Sequence, residues 1–398
     1  MVDKVLTFPG IISVDDHIVE PRDLWTSRLP KEYADVMPRV VRERGRIHLS
    51  GGDFVYETGD EFGEVDTWYY EDVRVPSALL GAAVGFELDD MEMRVTTFDE
   101  MRPGCYDQAA RLADMDIAGI EASLCYPNLF VRFCGQRFLF GKDRQLSQLC
   151  VEAYNDFIID EWCAGTGGRL LPLGIVPLWD SEKCAAEVHR MAARGMRAMC
   201  FSELPSYLGL PSIHTAYWDP FFRACEETGT TIMMHIGSSS KLPTSSADAP
   251  NAVINTLPAL NSAMSLVDWL FYGALIRFPK LKLGLAECQI GWIPYFLERS
   301  DEVWEHNRGW NNVRNIIPEP PSTYFPGRIF CAFFSDDFGL KNLDAIGVDN
   351  VCFETDYPHS DSNWPNSVAV AQKATQHLDA VTTEKIVRSN ALRMLGLN

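Results

Sequence analysis

Short apolar runs recur along the chain and alternate with longer segments in which apolar residues stand three or four positions apart. Most of the short runs are continuous rather than alternating, which is typical of parallel strands buried on both faces. The three-to-four spacing of the longer segments predicts helices. The runs begin at Ile11, Glu121, Leu170, Met196, Thr230, Leu281, Arg328 and Asn350.

The helical segments between these runs end where glycine would stop a helix before the next strand. We predict helices over residues 109–117, 181–193, 220–227 and 291–304, with ends marked by Gly195, Gly229 and Gly347. Strand–helix alternation indicates an α/β fold with a parallel sheet. Eight repeats favour a closed (β/α)8 TIM barrel over an open sheet, and no GxGxxG motif for a dinucleotide follows the first run.

Two stretches interrupt this rhythm. Residues 42–102 are too long for one connection, and we predict an insertion after the first strand that lies over the barrel mouth. Residues 309–327 contain four prolines and little periodicity, which predicts a loop rather than a domain boundary. We therefore predict one domain over residues 1–398.

Charge and composition narrow the class of protein. The net charge of −20 disfavours nucleic acid and anionic membrane surfaces as partners, because both are themselves negative. Residues 1–10 do not resemble a signal peptide, and no apolar run is long enough to span a membrane. Eleven scattered cysteines without a CxxC pair predict reduced thiols in a cytoplasmic protein.

Ionisable residues stand where several predicted strands end, and this is the edge of a barrel that carries the active site. Asp15 and His17 are two apart, so both side chains face the same side of the first strand. Mixed carboxylate and imidazole ligands suit zinc, manganese or iron. The other strand ends carry His235, Glu287 and Asp356, with His359 three residues further on.

Each of these residues also has a purely structural interpretation. Asp15 and His17 fit a solvated strand end, His235 a satisfied core histidine, and Glu287 a carboxylate near a helix start. Asp356 fits a simple strand-to-helix turn. Their combined occurrence at four strand ends favours a metal site, because unrelated solvated ends would seldom supply this set.

The motifs around these residues resemble the amidohydrolase superfamily. The likeness is to the branch with aminocarboxymuconate semialdehyde, resorcylate and carboxyvanillate decarboxylases, and it lies in residues 13–21 (SVDDHIVEP), 281–304 (LKLGLAECQIGWIPYFLERSDEVW) and 354–365 (ETDYPHSDSNWP). The resemblance implies a barrel with one divalent metal ion, most often zinc and sometimes manganese. It also implies a homodimer.

Residue by residue, the resemblance implies four metal ligands. Asp15 stands where the family usually has its first histidine or a glutamate, and His17 matches the second histidine of that pair. His235 matches the histidine of strand five. Asp356 matches the aspartate of strand eight, which in the family binds metal and handles the substrate's proton.

Two further positions bear on the reaction. Glu287 replaces the family's histidine of strand six, and this departure puts the usual decarboxylation mechanism in doubt. Arg299 falls near the position where some decarboxylases place an arginine for the substrate carboxylate. Its alternative role is an ion pair with Glu302 along one helix.

Our first hypothesis from the sequence is a metal-dependent hydrolase of a small aromatic or cyclic substrate. The metal ion would activate a water molecule, and Asp356, with Glu287 or His359, would relay its proton. Tyr126 and Trp292 would line the mouth for a flat substrate, although both equally suit core packing.

Two alternatives stay open. The first is a metal-dependent non-oxidative decarboxylase of an aromatic or dienoic acid, in which Asp356 protonates the ring carbon. The second is a barrel that binds a small molecule without catalysis, which the near-complete ligand set disfavours.

Overall fold

The computed structural model describes residues 8–50, 53–87 and 91–397. They form an α/β fold with parallel sheets and one antiparallel sheet. The strands are β1 (Ile11–Ile18), β2 (Arg39–Ser50), β3 (Asp53–Thr58), β4 (Gly63–Tyr70), β5 (Val73–Pro76), β6 (Ile120–Pro127), β7 (Leu170–Leu171), β8 (Leu173–Gly174), β9 (Ala198–Phe201), β10 (Thr231–His235), β11 (Leu283–Ala286), β12 (Ile329–Phe333) and β13 (Val351–Phe353).

The parallel strands follow one another in chain order. One sheet has the order β1-β6-β7 and the other β13-β12-β11-β10-β9-β8. Every predicted run contains a strand, and the run from Leu170 is divided into β7 and β8 at Pro172, which has no N–H to donate. The segment after β13 returns to β1, since the Asp356 N–H donates to the Asp15 carbonyl at 2.9 Å.

The predicted helices are confirmed to within two residues at each end. The four correspond to α1, α4, α5 and α9 among the helices α1 (Gln108–Ala118), α2 (Gln136–Leu139), α3 (Arg144–Phe157), α4 (Ser181–Ala192), α5 (Asp219–Thr228), α6 (Asn251–Thr256), α7 (Ala259–Tyr272), α8 (Ala274–Arg277), α9 (Ile293–His306), α10 (Arg308–Asn311), α11 (Asp337–Leu340), α12 (Leu343–Ile346), α13 (Ser367–Thr375), α14 (Ala380–Glu384) and α15 (Asn390–Leu395).

The prolines of residues 309–327 do not prevent helical turns there. α10 extends into this stretch, and short 3₁₀ turns follow at Val313–Asn315 and Pro321–Tyr324. Pro321 is the first residue of its turn, where its missing N–H has no helical partner in any case. The prediction of a plain loop was therefore wrong in this detail.

An antiparallel sheet spans residues 39–76 and so forms the first part of the predicted insertion 42–102, of which two short pieces, 51–52 and 88–90, lie outside the described residues. Its order is β3-β2-β4-β5, and it begins at Arg39, ahead of the predicted boundary. Beyond β5, the Ala83 N–H donates to the Pro358 carbonyl at 2.7 Å, and the Ser360 N–H donates to the Leu80 carbonyl at 3.2 Å. This segment is thus held against the loop after β13.

The prediction that residues 1–10 do not form a signal peptide concerns a stretch of which residues 1–7 lie outside the described residues. Of the helices that the structure describes, none combines the length and the apolar character needed to cross a bilayer.

Asp16 joins three parts of the fold through its buried carboxylate. Asp16 Oδ1 accepts hydrogen bonds from Thr355 Oγ1 at 2.5 Å, the Tyr357 N–H at 3.0 Å and Ser13 Oγ at 3.1 Å. Asp16 Oδ2 accepts from Ser123 Oγ in β6. The carboxylate therefore ties β1 to β6 and to the segment after β13.

Removing this carboxylate should destabilise the protein strongly. We expect Asp16→Ala to lower the free energy of unfolding by about 3 kcal/mol or more, because several buried donors lose their acceptor at once. The exposed Asp35→Ala should stay within about 0.5 kcal/mol of wild type. Urea unfolding measures both, and similar midpoints for the two variants would contradict the assigned role.

Candidate metal centre and active site

Four side chains converge where β1, β10 and β13 end. Asp15 and His17 belong to β1, His235 is the last residue of β10, and Asp356 follows β13. His17 Nε2 lies 3.5 Å from Asp15 Oδ1 and 3.4 Å from Asp356 Oδ1. His235 Nε2 lies 3.2 Å from Asp15 Oδ2. All four side chains are buried, and the structure thus brings the predicted ligands together.

The polar atoms of these four side chains fit a cation. Both carboxylate oxygens of Asp15 and of Asp356, and Nε2 of His17 and His235, are buried without a hydrogen-bond partner among the described residues. Unpaired buried polar atoms are costly, and oxygen and nitrogen donors of this kind are ligands for divalent metals. The donor set therefore suits a metal ion.

The backbone orients both imidazoles toward the centre. His17 Nδ1 lies 3.2 Å from the Pro127 carbonyl oxygen, and His235 Nδ1 lies 2.5 Å from the Ile236 carbonyl oxygen. When Nδ1 donates its proton to the carbonyl, Nε2 keeps a lone pair for a metal ion. Carbonyl partners of this kind are typical of metal-binding histidines.

Glu287 also reaches the centre. Its Oε2 lies 3.3 Å from His235 Nε2, and its side chain is 13% exposed. Its N–H donates to Glu354 Oε2 at 3.0 Å, and its φ of 56° lies in the left-handed region. Because α9 begins only at Ile293, Glu287 is not a cap of that helix.

His359 lies beside Asp356 and His17 at the same centre. Its Nδ1 lies 3.0 Å from Asp356 Oδ1, and its ring stacks on His17 with the ring centres 3.7 Å apart. The side chain is 12% exposed. His359 and Asp356 thus form an imidazole–carboxylate pair at an accessible edge of the ligand cluster.

Burial and mutual repulsion set the ionisation of this cluster. Burial raises the pKa of Asp15, and the charge of Asp356 adds to the rise. Burial likewise raises the pKa of Glu287, and burial lowers the pKa of His17. Burial also acts to raise the pKa of Asp356, but His359 and His17 outweigh it and hold this pKa below the usual range.

The three residues predicted to bind substrate differ in their position relative to the predicted metal ligands. Tyr126 is buried at the centre, with its ring 5.0 Å from that of His235. Trp292 donates from Nε1 to the Cys288 carbonyl at 2.7 Å. Arg299 is half exposed and pairs with Glu302 at 2.5 Å, which is its alternative role. The described contacts bring only Tyr126 to the ligands.

The structure adds three residues that the sequence analysis did not name. The Phe133 ring stacks on His235 with the ring centres 4.2 Å apart. Glu354 is buried beside Glu287, and Glu203 is buried two residues after β9. Glu203 and Glu354 stand where predicted strands end, so the search of strand ends that predicted the other site residues would have found them. Phe133 lies in a loop and has no comparable signal in the sequence.

Glu203 fixes the loop that follows His235. Its Oε1 accepts hydrogen bonds from the Gly237 N–H at 3.0 Å, Ser239 Oγ at 2.9 Å and Asn261 Nδ2 at 3.2 Å. Its Oε2 is buried without a hydrogen-bond partner among the described residues.

A divalent cation should stabilise the folded chain through the four ligands. At a metal concentration 100 times the Kd, we expect a gain of about 2.7 kcal/mol, because only the folded state assembles the site. His235→Ala should remove most of this gain, and His306→Ala, an exposed histidine of α9, should keep it. Thermal unfolding with manganese or zinc measures the difference; an equal gain in both variants would contradict the ligand assignment.

Two buried glutamates should make stability depend on pH. Burial raises the pKa of Glu20 and of Glu203 to about 7, above the ordinary 4.5. The folded state then binds more protons, so stability falls as pH rises from about 4.5 to about 7, by up to about 3 kcal/mol per group.

The substitution Glu203→Gln should remove its share of this slope, while the exposed Glu182→Gln should retain it. Urea midpoints measured between pH 4.5 and 8 give the comparison. A wild-type midpoint that rises over this range would contradict the expectation.

Comparisons with known proteins agree with this fold. The amidohydrolase family model matches residues 65–397. An amidohydrolase from Mycobacterium avium subsp. paratuberculosis K-10 is 21% identical at a TM-score of 0.72, covering 98% of this chain and 100% of that one.

A 5-carboxyvanillate decarboxylase from Novosphingobium aromaticivorans DSM 12444 is 17% identical at a TM-score of 0.64, covering 98% of this chain and 96% of that one. A 2,6-dihydroxybenzoate decarboxylase from Rhizobium is 16% identical at 0.61, covering 98% and 99%. No curated protein matches significantly. The chain therefore belongs to the amidohydrolase family and is an enzyme.

Proposed function

We propose that this enzyme is a metal-dependent, non-oxidative decarboxylase of a small aromatic or dienoic acid. The observation that carries the proposal is the contact of Asp356 with both His17 and His359 at the edge of the ligand cluster. In this proposal Asp356 and His359 are the proton-handling pair and would lie beside the carboxylate of the bound substrate. Phe133 and Tyr126 add flat aromatic surfaces next to the same ligands.

Asp15, His17, His235 and Asp356 would hold one divalent ion, zinc or manganese. Iron suits the same ligands. When bound, the ion supplies Lewis-acid chemistry and offsets the negative charge of the carboxylates. The related 5-carboxyvanillate decarboxylase was solved with manganese, which supports that ion as the first to test.

The protein's own groups would deliver the proton. Decarboxylation breaks the bond between the ring carbon and the carboxylate carbon and releases carbon dioxide. The electron pair stays on the ring carbon, which takes a proton that His359 passes on through Asp356. His359, at 3.0 Å from Asp356 and partly exposed, would return a proton from solvent.

The similar structures support this choice over hydrolysis. Two of the three enzymes compared above are decarboxylases of hydroxylated benzoic acids, and both span the whole fold. This support is an analogy of fold, so the contacts of Asp356 remain the main argument.

The same comparison supports the architecture predicted from the sequence. We propose that the parallel strands form one closed (β/α)8 barrel, with residues 42–102 as an insertion over its mouth and residues 1–398 as one domain. The hydrogen bond between the Asp356 N–H and the Asp15 carbonyl supports closure. Homodimer formation and a cytoplasmic location stay predictions.

Metal-dependent hydrolysis is the second candidate, and Glu287 favours it. Its carboxyl group lies 3.3 Å from His235 Nε2, and burial raises its pKa, so that once ionised it accepts a proton more readily than an ordinary glutamate. An acceptor at this position suits the activation of water for attack on a carbonyl.

Carbon dioxide release tests the main proposal. The manganese- or zinc-loaded enzyme should release carbon dioxide from at least one acid in a panel that includes 2,6-dihydroxybenzoate and 5-carboxyvanillate. Asp356→Asn should lower kcat at least about 100-fold, because it removes the carboxylate that passes the proton to the ring carbon.

Asp337→Asn is the matched control, since Asp337 is exposed after β12. Full activity of Asp356→Asn would refute the assigned proton donor. Hydrolysis of esters, lactones or amides without any carbon dioxide release would instead establish the second candidate.

A further inference from the structure

His235 is linked to a buried glutamate through a single peptide group. His235 Nδ1 lies 2.5 Å from the Ile236 carbonyl oxygen. The N–H of the same peptide group, which belongs to Gly237, donates to Glu203 Oε1 at 3.0 Å. The peptide group therefore stands between the imidazole and the carboxylate, with one hydrogen bond on each side. We call such a group a bridging peptide.

His17, the other histidine among the predicted metal ligands, has the same arrangement. Its Nδ1 lies 3.2 Å from the Pro127 carbonyl oxygen. The N–H of that peptide group, which belongs to Asn128, donates to Glu20 Oε1 at 2.9 Å. The first bridge joins the ends of β9 and β10 and the second joins the ends of β1 and β6, so one local turn does not explain both.

Both carboxyl groups lie where an ionised group is costly. The side chains of Glu20 and Glu203 are 1% and 3% exposed. Removing a carboxylate from water costs free energy, which hydrogen bonds only partly recover. Two such groups, each one peptide away from a histidine of the ligand cluster, indicate a role toward those histidines.

The third imidazole at the centre is arranged differently. His359 Nδ1 lies 3.0 Å from Asp356 Oδ1, so this ring contacts a carboxylate directly. The bridging peptides thus distinguish the two predicted metal-binding histidines from the histidine to which we assign proton transfer.

A bridging peptide passes polarisation from one hydrogen bond to the other. Both peptide groups are trans, so the N–H and the C=O point in opposite directions. When the N–H donates to an anion, resonance places more negative charge on the carbonyl oxygen, and hydrogen bonds in such a chain strengthen one another. The stronger acceptor holds the proton on Nδ1 of the imidazole and makes Nε2 a better donor to a cation.

We propose that Glu20 and Glu203 are positioning residues for the metal centre, each acting through its bridging peptide to raise the affinity of one histidine for a divalent ion. Loss of a carboxylate that contacts a metal-binding histidine directly weakens metal binding by about 10- to 100-fold. An effect carried through a peptide should lie at the lower end of this range. The inference rests on the metal ligands of the proposed function and goes beyond them, because it assigns what sets the affinity.

Zinc affinity, measured in competition with a chelator, tests both bridges. At pH 8 both carboxyl groups are largely ionised, because burial raises their pKa to about 7. Glu203→Gln and Glu20→Gln each keep an acceptor oxygen for the peptide N–H and remove the charge. Each variant should bind zinc about tenfold more weakly than wild type. A role in folding alone would leave the affinity unchanged, and that result in both variants would overturn the proposal.

Proton NMR of the zinc-loaded chain with isotope-labelled histidine assigns each effect to its bridge. The Nδ1–H resonance of His235 should move upfield in Glu203→Gln, and that of His17 should stay. Glu20→Gln should do the reverse, so each variant is the other's control. The exposed Glu182→Gln should change neither the resonances nor the affinity. Equal movement of both resonances in either glutamine variant would indicate a general rearrangement and overturn the proposal.

Glu203→Asp keeps the negative charge and should bind zinc more tightly than Glu203→Gln. Equal affinity of these two variants would show that charge is not the cause. Thermal unfolding of the metal-free variants shows which are folded, and because the two bridges are tested independently, the Glu20 series remains decisive if the Glu203 variants do not fold.

Failure of the proposed function gives a different result. If wild type binds zinc but releases no carbon dioxide from any acid, the proposed function fails and the bridges stand. If wild type binds no zinc, the metal centre fails with the proposed function, and the part of this proposal that concerns affinity is overturned with it.

Discussion

The buried carboxylate of Asp16 is the constraint on which the candidate metal centre depends. Asp16 lies between the predicted ligands Asp15 and His17, and its Oδ1 accepts hydrogen bonds from Thr355 and Tyr357, the two neighbours of Asp356. Alternate residues of a strand face opposite sides. Because these hydrogen bonds hold the side chain of Asp16 away from the centre, the side chains of Asp15 and His17 face the centre. Arg111, also fully buried, donates to the His17 carbonyl at 2.5 Å and supplies a nearby positive charge.

The centre brings several carboxyl groups together, and the surrounding residues do not supply enough positive charge to balance them. Burial raises the pKa of Asp15, Glu287 and Glu354, and nearby carboxylates raise each of them further. A core of apolar side chains would be more stable than this arrangement. Strongly perturbed groups gathered at strand ends indicate a functional site, and a divalent cation is the partner that would restore their ionised forms.

The sequence predicted the parts of this site that depend on strand periodicity. The spacing of Asp15 and His17 and the positions of His235 and Asp356 follow from where buried strands end. Arg299 was harder to place, because a helix position does not reveal whether a long side chain turns inward or pairs with Glu302. The antiparallel sheet within residues 42–102 was not predicted, and neither was Phe133, because loop conformation brings it to His235 from outside any strand.

Glu287 is compatible with a decarboxylase, although it replaces an expected histidine. A histidine at this position can donate a hydrogen bond to a carboxylate, whereas an ionised glutamate would repel it. Burial and the charge of Asp356 favour the protonated form of Glu287, which donates through its hydroxyl. The same carboxyl accepts a proton once it is ionised, as hydrolysis would require. The ionisation state of Glu287 beside a bound metal ion is therefore the physical property that separates the two reactions.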